Sequence, residues 1–139
     1  MIPNLLQVED SIWRGGQPET PEDWEYLANI GVNQIIKLNT DSEGVDSPVE
    51  GTALFKCPIT TLEQILTEPD KQAVIDAVGF ISPGSMVHCE HGQDRTGLVV
   101  ACYRRSRGWS KAKAEEEMLN LGFHKLLLGL WEFWREWTP

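Results

Sequence analysis

Along the chain, short apolar runs alternate with longer stretches of helical spacing, and Gly and Pro punctuate them. Residues 11–14, Ser-Ile-Trp-Arg, have the make-up of a short strand, which Gly15-Gly16-Gln17-Pro18 breaks into a turn. A helix is predicted next. Thr20 is a good N-cap, Pro21 suits the first helical position, Glu22 and Asp23 favour the positive helix end, and Gly31 supplies the stop. Residues 32–38, centred on Ile35 and Ile36, read as a buried strand, the polar stretch 39–51 as a loop, and 53–59 as a second such strand. Residues 68–81 place Ala73, Val74, Ala77, Val78 and Ile81 at helical spacing before Pro83-Gly84, and 85–88 form another short strand. Between 96 and 107 the run from Leu98 to Tyr103 has no breaker, which suits a helix buried on most sides. Ser110 caps a helix that runs to Leu121 before Gly122, and 126–137 form the last, with aromatic residues at 131, 133, 134 and 137.

Strands separated by helices imply parallel crossovers and a sheet covered on both faces. The expected fold is α/β: one domain over residues 1–139, with a short, mostly parallel central sheet of about four to five strands flanked by helices on both faces. In such sheets ligands sit beyond the carboxyl ends of the strands. The strand at 85–88 delivers Cys89 to that edge, and the helix beginning near Arg95 points its free amides at the same spot.

A length of 139 residues allows one sizeable core, and 41% hydrophobic with 24% charged residues is ordinary for a globular domain. The formal net charge of −9 argues against general affinity for nucleic acid or for an anionic membrane surface, although a local basic pocket is compatible with it. The first residues have no basic flank and no long apolar run, so neither a signal peptide nor a membrane anchor is expected, and the default expectation is a cytoplasmic monomer. Cys57, Cys89 and Cys102 have neither zinc-ligand spacing nor the even number of a disulfide framework, so no metal and no cofactor is expected.

The chemistry concentrates in residues 88–97, His-Cys-Glu-His-Gly-Gln-Asp-Arg-Thr-Gly. Cys89 and Arg95 are separated by five residues, and Gly92 and Gly97 relieve the steric limits of a loop that must aim several N–H groups inward. The loop residues Glu90, His91, Gly92, Gln93, Asp94 and Arg95 would then surround a tetrahedral oxyanion, helped by about half a positive charge at the helix N-terminus and by the planar fork of Arg95. The same field favours the thiolate of Cys89, the nucleophilic form. Attack on phosphorus would give a phosphocysteine, held by the amides and Arg95 and released by water. The Thr96 hydroxyl can donate to the sulfur, and His88 can anchor the loop from behind through the backbone.

These ten residues resemble the signature of the protein tyrosine phosphatase superfamily. With the compact length and the opening Trp13-Arg14-Gly15-Gly16-Gln17-Pro18, they bring the chain closest to the small atypical dual-specificity phosphatases of bacteria, plants and fungi. The resemblance implies a dual-specificity-phosphatase-like fold, Cys89 as nucleophile, Arg95 as phosphate binder and Thr96 as the hydroxyl beside the sulfur. One part departs from the pattern. Where the family holds a general-acid Asp after the strand at 53–59, this chain has Thr60-Thr61-Leu62-Glu63. Glu63 and Asp94 are equal candidates for the acid, Asp94 having a bracing role as its alternative, and Asp41 is the third.

Other features have plainer readings. Cys102 and Cys57 are core filler, with Cys57 as a possible disulfide partner of an oxidised Cys89; His124 is a cap between helices; the aromatic residues of 131–137 dock the last helix on the core. The function expected is a cysteine-dependent hydrolase of phosphoprotein monoesters. The alternatives are a phosphatase of inositol phosphates or phosphoinositides and, less favoured, a phosphate-binding module without turnover.

Overall fold

The computed structural model describes residues 1–62 and 64–139. In chain order the elements are β1 (Leu6–Glu9), β2 (Ile12–Gly15), α1 (Pro21–Asn29), β3 (Gln34–Lys37), β4 (Ala53–Lys56), α2 (Glu68–Phe80), β5 (Ser85–His88), α3 (Arg95–Ser106), α4 (Lys111–Asn120) and α5 (Leu128–Glu136). The strands form one sheet in the order β1-β2-β5-β3-β4. β2, β5, β3 and β4 are mutually parallel, and β1 lies antiparallel on β2 at one edge.

The alternation of side chains along the central strands divides the core in two. Ile35 and Met86 face α1, where they meet Trp24, Leu27, Val32 and Ile2. Ile36 and Val87 face the opposite way, into the larger core built with Leu98, Val99, Cys102, Met118, Leu130 and Trp134 from α3, α4 and α5. α3 lies at the middle of this second layer, and its residues from Arg95 to Tyr103 are all buried. The unbroken apolar run at 98–103 follows from that position, because no side of the helix there is left to solvent.

The parallel register brings the carboxyl ends of three strands level. Gly15 of β2 pairs with His88 of β5, which pairs in turn with Lys37 of β3. The segments that follow, 16–19, 89–94 and 38–46, therefore leave the sheet side by side, at the position where open α/β sheets bind ligands.

Two elements differ from the sequence reading. β1 was not anticipated; Asp10-Ser11 closes a tight hairpin between it and β2, with Ser11 at a φ of 64° where Gly is the usual residue, so the turn lacks its common sequence signature. The strand expected over 53–59 ends at Lys56, because the parallel register with β3 breaks just beyond it. Cys57 and Ile59 nevertheless still donate to Lys37 and Leu38 of the neighbouring chain segment.

Helix starts are strongly specified. Thr20 and Asp23 form a reciprocal capping box on α1, and Thr67 and Asp70 form another on α2. Asp70 also accepts from the backbone N–H and the hydroxyl of Thr60, at 3.2 and 2.8 Å, so a single carboxylate caps α2 and pins the segment that leaves β4. Asp70→Ala is expected to cost about 1–2 kcal/mol in urea-induced unfolding, the usual cost of losing an N-cap partner. A loss below about 0.5 kcal/mol, the scale of an ordinary surface change, would show that these bonds contribute no net stability.

Candidate active site

The loop from Cys89 to Asp94 owes its shape to four donors placed behind it. His88 Nδ1 donates to Cys89 O at 3.1 Å, the backbone N–H of Gln17 to Glu90 O at 2.9 Å, Asn4 Nδ2 to His91 O at 2.8 Å, and Arg14 Nη2 to Gly92 O at 3.2 Å. Four successive carbonyls are thus held outward. In a planar trans peptide the following N–H points the opposite way, so the N–H groups of residues 90–93 are turned to the other side of the loop. Among the described residues no backbone carbonyl accepts from them. Asp94 stands at the N-cap position of α3 without making a cap bond, which leaves the first-turn amides of that helix open as well.

Close backbone approach makes this arrangement possible. Gly92 has a φ of 79°, and a Cβ there would lie 2.6 Å from the carbonyl carbon of Gly15; one on Gly16 would lie 2.7 Å from Glu90 O. Only glycine fits either position. The Gly15-Gly16 turn and the loop therefore interlock.

Cys89 is buried at the base of the cradle, with the Thr96 hydroxyl 3.0 Å from its sulfur. Arg95 is also buried. Its Nη1 and Nη2 meet Glu43 Oε1 and Oε2 at 3.0 and 2.6 Å, and Nη1 also donates to Ile59 O at 3.3 Å, while Nε has no partner among the described residues. The guanidinium holds the Glu43 carboxyl down at about 2, against an ordinary 4.5. Glu43 was not among the residues singled out from the sequence. It lies in the polar stretch after β3, and only the path of that stretch across the sheet end brings it to Arg95.

That path is fixed by a second cluster. Lys37 Nζ reaches Gln17 Oε1, Gly44 O and Asp46 Oδ1 at 3.1, 2.6 and 3.0 Å, and Asp46 Oδ2 lies 2.7 Å from His88 Nε2. The side chains of Lys37, Asp46 and His88 are all fully buried. Burial works against the charge on Asp46, but the bonds from His88, Gln17 and Lys37 outweigh it and hold its carboxyl below the usual range. The cluster ties the Glu43 segment to the residue that precedes Cys89.

The remaining candidates divide. Glu43, Thr61, Cys89, Glu90, His91, Asp94, Arg95 and Leu127 line a cleft of about 260 Å³. Glu90 and His91 pair with each other at its rim, at 2.8 Å. Gln93 turns away, with its amide packed on Gly122. The Asp94 carboxylate accepts from the His124 backbone N–H at 2.8 Å and lies 2.9 Å from His124 Nδ1. Asp41 pairs with Lys56 at an exposed site. Glu63 lies outside the described residues.

The idea of a disulfide between Cys57 and Cys89 is not supported by the topology. β3 lies between the strands that carry them, so their backbones are about 10 Å apart at strand spacing, beyond disulfide reach. Burial and then Asp76 push the Cys57 thiol up to about 11.

Comparison with known proteins places this geometry. Residues 5–127 match the sequence model of a family described as DSP-PTPase phosphatase fused to NAD+ kinase. An inositol diphosphatase of Arabidopsis thaliana is 28% identical, over 83% of this chain and 60% of its own length. A putative tyrosine-protein phosphatase of Saccharomyces cerevisiae, OCA1, is 28% identical over 82% of this chain and 52% of its own. The chain thus spans about 60% or less of the length of these relatives. Among solved structures, the core catalytic domain of the PP-IP phosphatase Siw14 of S. cerevisiae superposes with a TM-score of 0.77, at 19% identity over 99% of this chain and 88% of that one. TpbA of P. aeruginosa in complex with pTyr gives 0.76, at 20% identity over 96% and 83%. The fold is that of dual-specificity-type phosphatases.

The Arg95–Glu43 pair sets a pH dependence. Because the folded-state value of Glu43 is depressed, its contribution to stability is complete above about pH 4.5 and is lost as the pH falls towards 2. Glu43→Gln should remove that part of the acid limb. The gap in melting temperature between wild type and variant is expected to be widest near neutral pH and to close by about pH 2; a gap independent of pH would exclude the ion pair as its source.

Proposed function

The chain belongs to the DSP-PTPase family matched over residues 5–127, and from that premise we propose that it is a cysteine-dependent phosphomonoester hydrolase. The observation that carries this reading is the meeting of the Cys89 sulfur, 3.0 Å from the Thr96 hydroxyl, with a loop whose first four carbonyls are held outward. A thiolate at the centre of inward-facing amides is a nucleophile placed where a phosphoryl group would be held.

In the proposed reaction the Cys89 thiolate attacks phosphorus in line with the ester oxygen. The S–P bond forms, the P–O bond breaks, and the leaving oxygen takes a proton from solvent. Water then attacks the phosphocysteine and gives up a proton to solvent, the S–P bond breaks, inorganic phosphate is released and the thiolate is restored. Thr96 donates to the sulfur as it departs. The amides of residues 90–93 and Arg95 hold the equatorial oxygens. Glu43 occupies the Nη1/Nη2 end of the guanidinium, which leaves the buried Nε as a donor for a phosphoryl oxygen.

The carboxylates around the cleft favour one substrate class. Among the described residues, Glu43, Glu90 and Asp94 line it, against the guanidinium of Arg95 and the imidazole of His91. A carrier with several phosphates would bring its further negative charges against these carboxylates, whereas a single phosphoryl group on a neutral or basic carrier would not. The reading is therefore a phosphoprotein monoester such as phosphotyrosine, in preference to the inositol phosphates suggested by the name of the Arabidopsis relative. Asp94 is assigned as a brace, since its oxygens are engaged by His124.

Cys89→Ser should reduce hydrolysis of 4-nitrophenyl phosphate to background while phosphate still raises the melting temperature, and substantial turnover by that variant would refute the mechanism. In a substrate panel, phosphotyrosine peptides with Lys or Arg neighbours should be hydrolysed faster than the same peptides with Asp or Glu neighbours, and faster than inositol polyphosphates; the reverse order would overturn the assignment of substrate class. A rate series across leaving groups tests the brace. The slope against leaving-group pKa should be the same for wild type and Asp94→Asn, and a slope that steepens in the variant would make Asp94 the acid, a contribution of about 10²–10⁴-fold. Glu63→Gln in the same series tests the other carboxylate.

A further inference from the structure

Arg14 belongs to the Trp-Arg-Gly-Gly-Gln-Pro segment that opens the chain, and neither the fold nor the proposed reaction accounts for its charge. It is 2% exposed. Its Nη2 donates to Gly92 O at 3.2 Å; among the described residues its buried Nε has no partner and no carboxylate lies within ion-pair distance of it. The guanidinium passes beneath the loop against Gly97 of α3, where a Cβ would lie 3.7 Å from Nη2. The same hypothetical Cβ would touch Met118 and Phe123, so the surroundings on that side are apolar.

The charges that bear on it do not neutralise it. Burial is the largest influence and disfavours the cation, lowering the Arg14 pKa. Glu117 of α4 attracts it from beyond contact, but Glu117 is already forked by Arg104 of α3 at 3.1 and 3.2 Å, and Arg104 itself repels Arg14. Cys89 is the other negative charge that acts on it when ionised. A buried cation that lacks a carboxylate partner is costly unless another anion lies close by. The peptide unit whose carbonyl Arg14 holds has its other side turned to the cradle, where an anion can lie.

We propose that Arg14 is a positioning residue with two linked tasks: it keeps the Gly92 carbonyl turned out of the cradle, and its buried charge is balanced by the anion that the 89–95 loop holds. The proposal rests on the reading of that loop as an oxyanion site. Arg95 and Arg14 would then face the bound group from opposite sides, Arg95 by direct contact and Arg14 through one peptide. Its charge acts on whatever negative group occupies the cradle, the free thiolate or a phosphoryl group.

The test uses inorganic phosphate as probe and binding as readout, with the full chain as wild type, Arg14→Gln and Arg14→Lys, each checked by its melting temperature without phosphate. The glutamine can still donate to Gly92 O but carries no charge; the lysine keeps the charge. Phosphate affinity measured by calorimetry is expected to fall about tenfold or more in Arg14→Gln, the scale of one charge acting at short range through protein. Arg14→Lys should stay within about threefold of wild type on the same argument. Equal affinity in all three proteins would overturn the proposal, and so would an equal loss in both variants, which would assign the effect to the shape of the guanidinium. Should Arg14→Gln not fold, Arg14→Met takes its place as the uncharged variant: a tenfold loss with retention in Arg14→Lys supports the charge role, and unchanged affinity in Arg14→Met refutes it. A wild type that binds no phosphate would instead refute the oxyanion reading of the loop.

Discussion

The planarity of the peptide unit is the constraint on which the site depends. A carbonyl and the N–H that follows it cannot point the same way, so holding one outward aims the other inward. The protein uses this four times in succession, with donors drawn from the N-terminal segment, the turn after β2, β2 itself and the end of β5. All four donors bond to the loop from its outer side. The strand order brings them together, because β2 and β5 are parallel neighbours whose ends are level, so the turn after one supports the loop after the other.

Next to this frame lies a buried polar cluster that hydrophobic side chains could not replace without releasing the loop. Lys37, Asp46 and His88 are fully enclosed, and such groups are tolerated only when their hydrogen bonds are satisfied by one another. The segment that contributes Asp46 also carries Glu43, three residues earlier, so the placement of Arg95's partner follows from the cluster. Packing, charge and loop path are in this way one problem, and α3 joins them to the core through its uninterrupted apolar run.

Much of this was legible in the sequence because it is local. Thr20-Pro21, Ser110 and the Gly stops mark helix boundaries through interactions a few residues long, and Cys89, Arg95 and Thr96 share one loop and one helix turn. The contributions of Glu43, Asp46, Lys37 and Asn4 were not legible. Each acts across a separation of between 7 and 87 residues, set by how a polar loop folds back over the sheet, and no periodicity encodes that. The assignment of 39–51 to an undifferentiated loop was correct in class and silent on its content. β1 escaped for a related reason: Asp10-Ser11 does with a left-handed Ser what the familiar hairpin signal does with Gly.

The cradle is made from main chain, and its side chains are a separate matter. At positions 90, 91 and 93 the backbone is held by its carbonyls or its neighbours, while the side chains pair with each other at the rim or pack outward on Gly122. The charge shown at the rim can therefore change by substitution at these positions without moving the inward-facing amides. Side-chain charge and main-chain shape are thus carried by different atoms of the same loop, so that one can change while the other stays fixed.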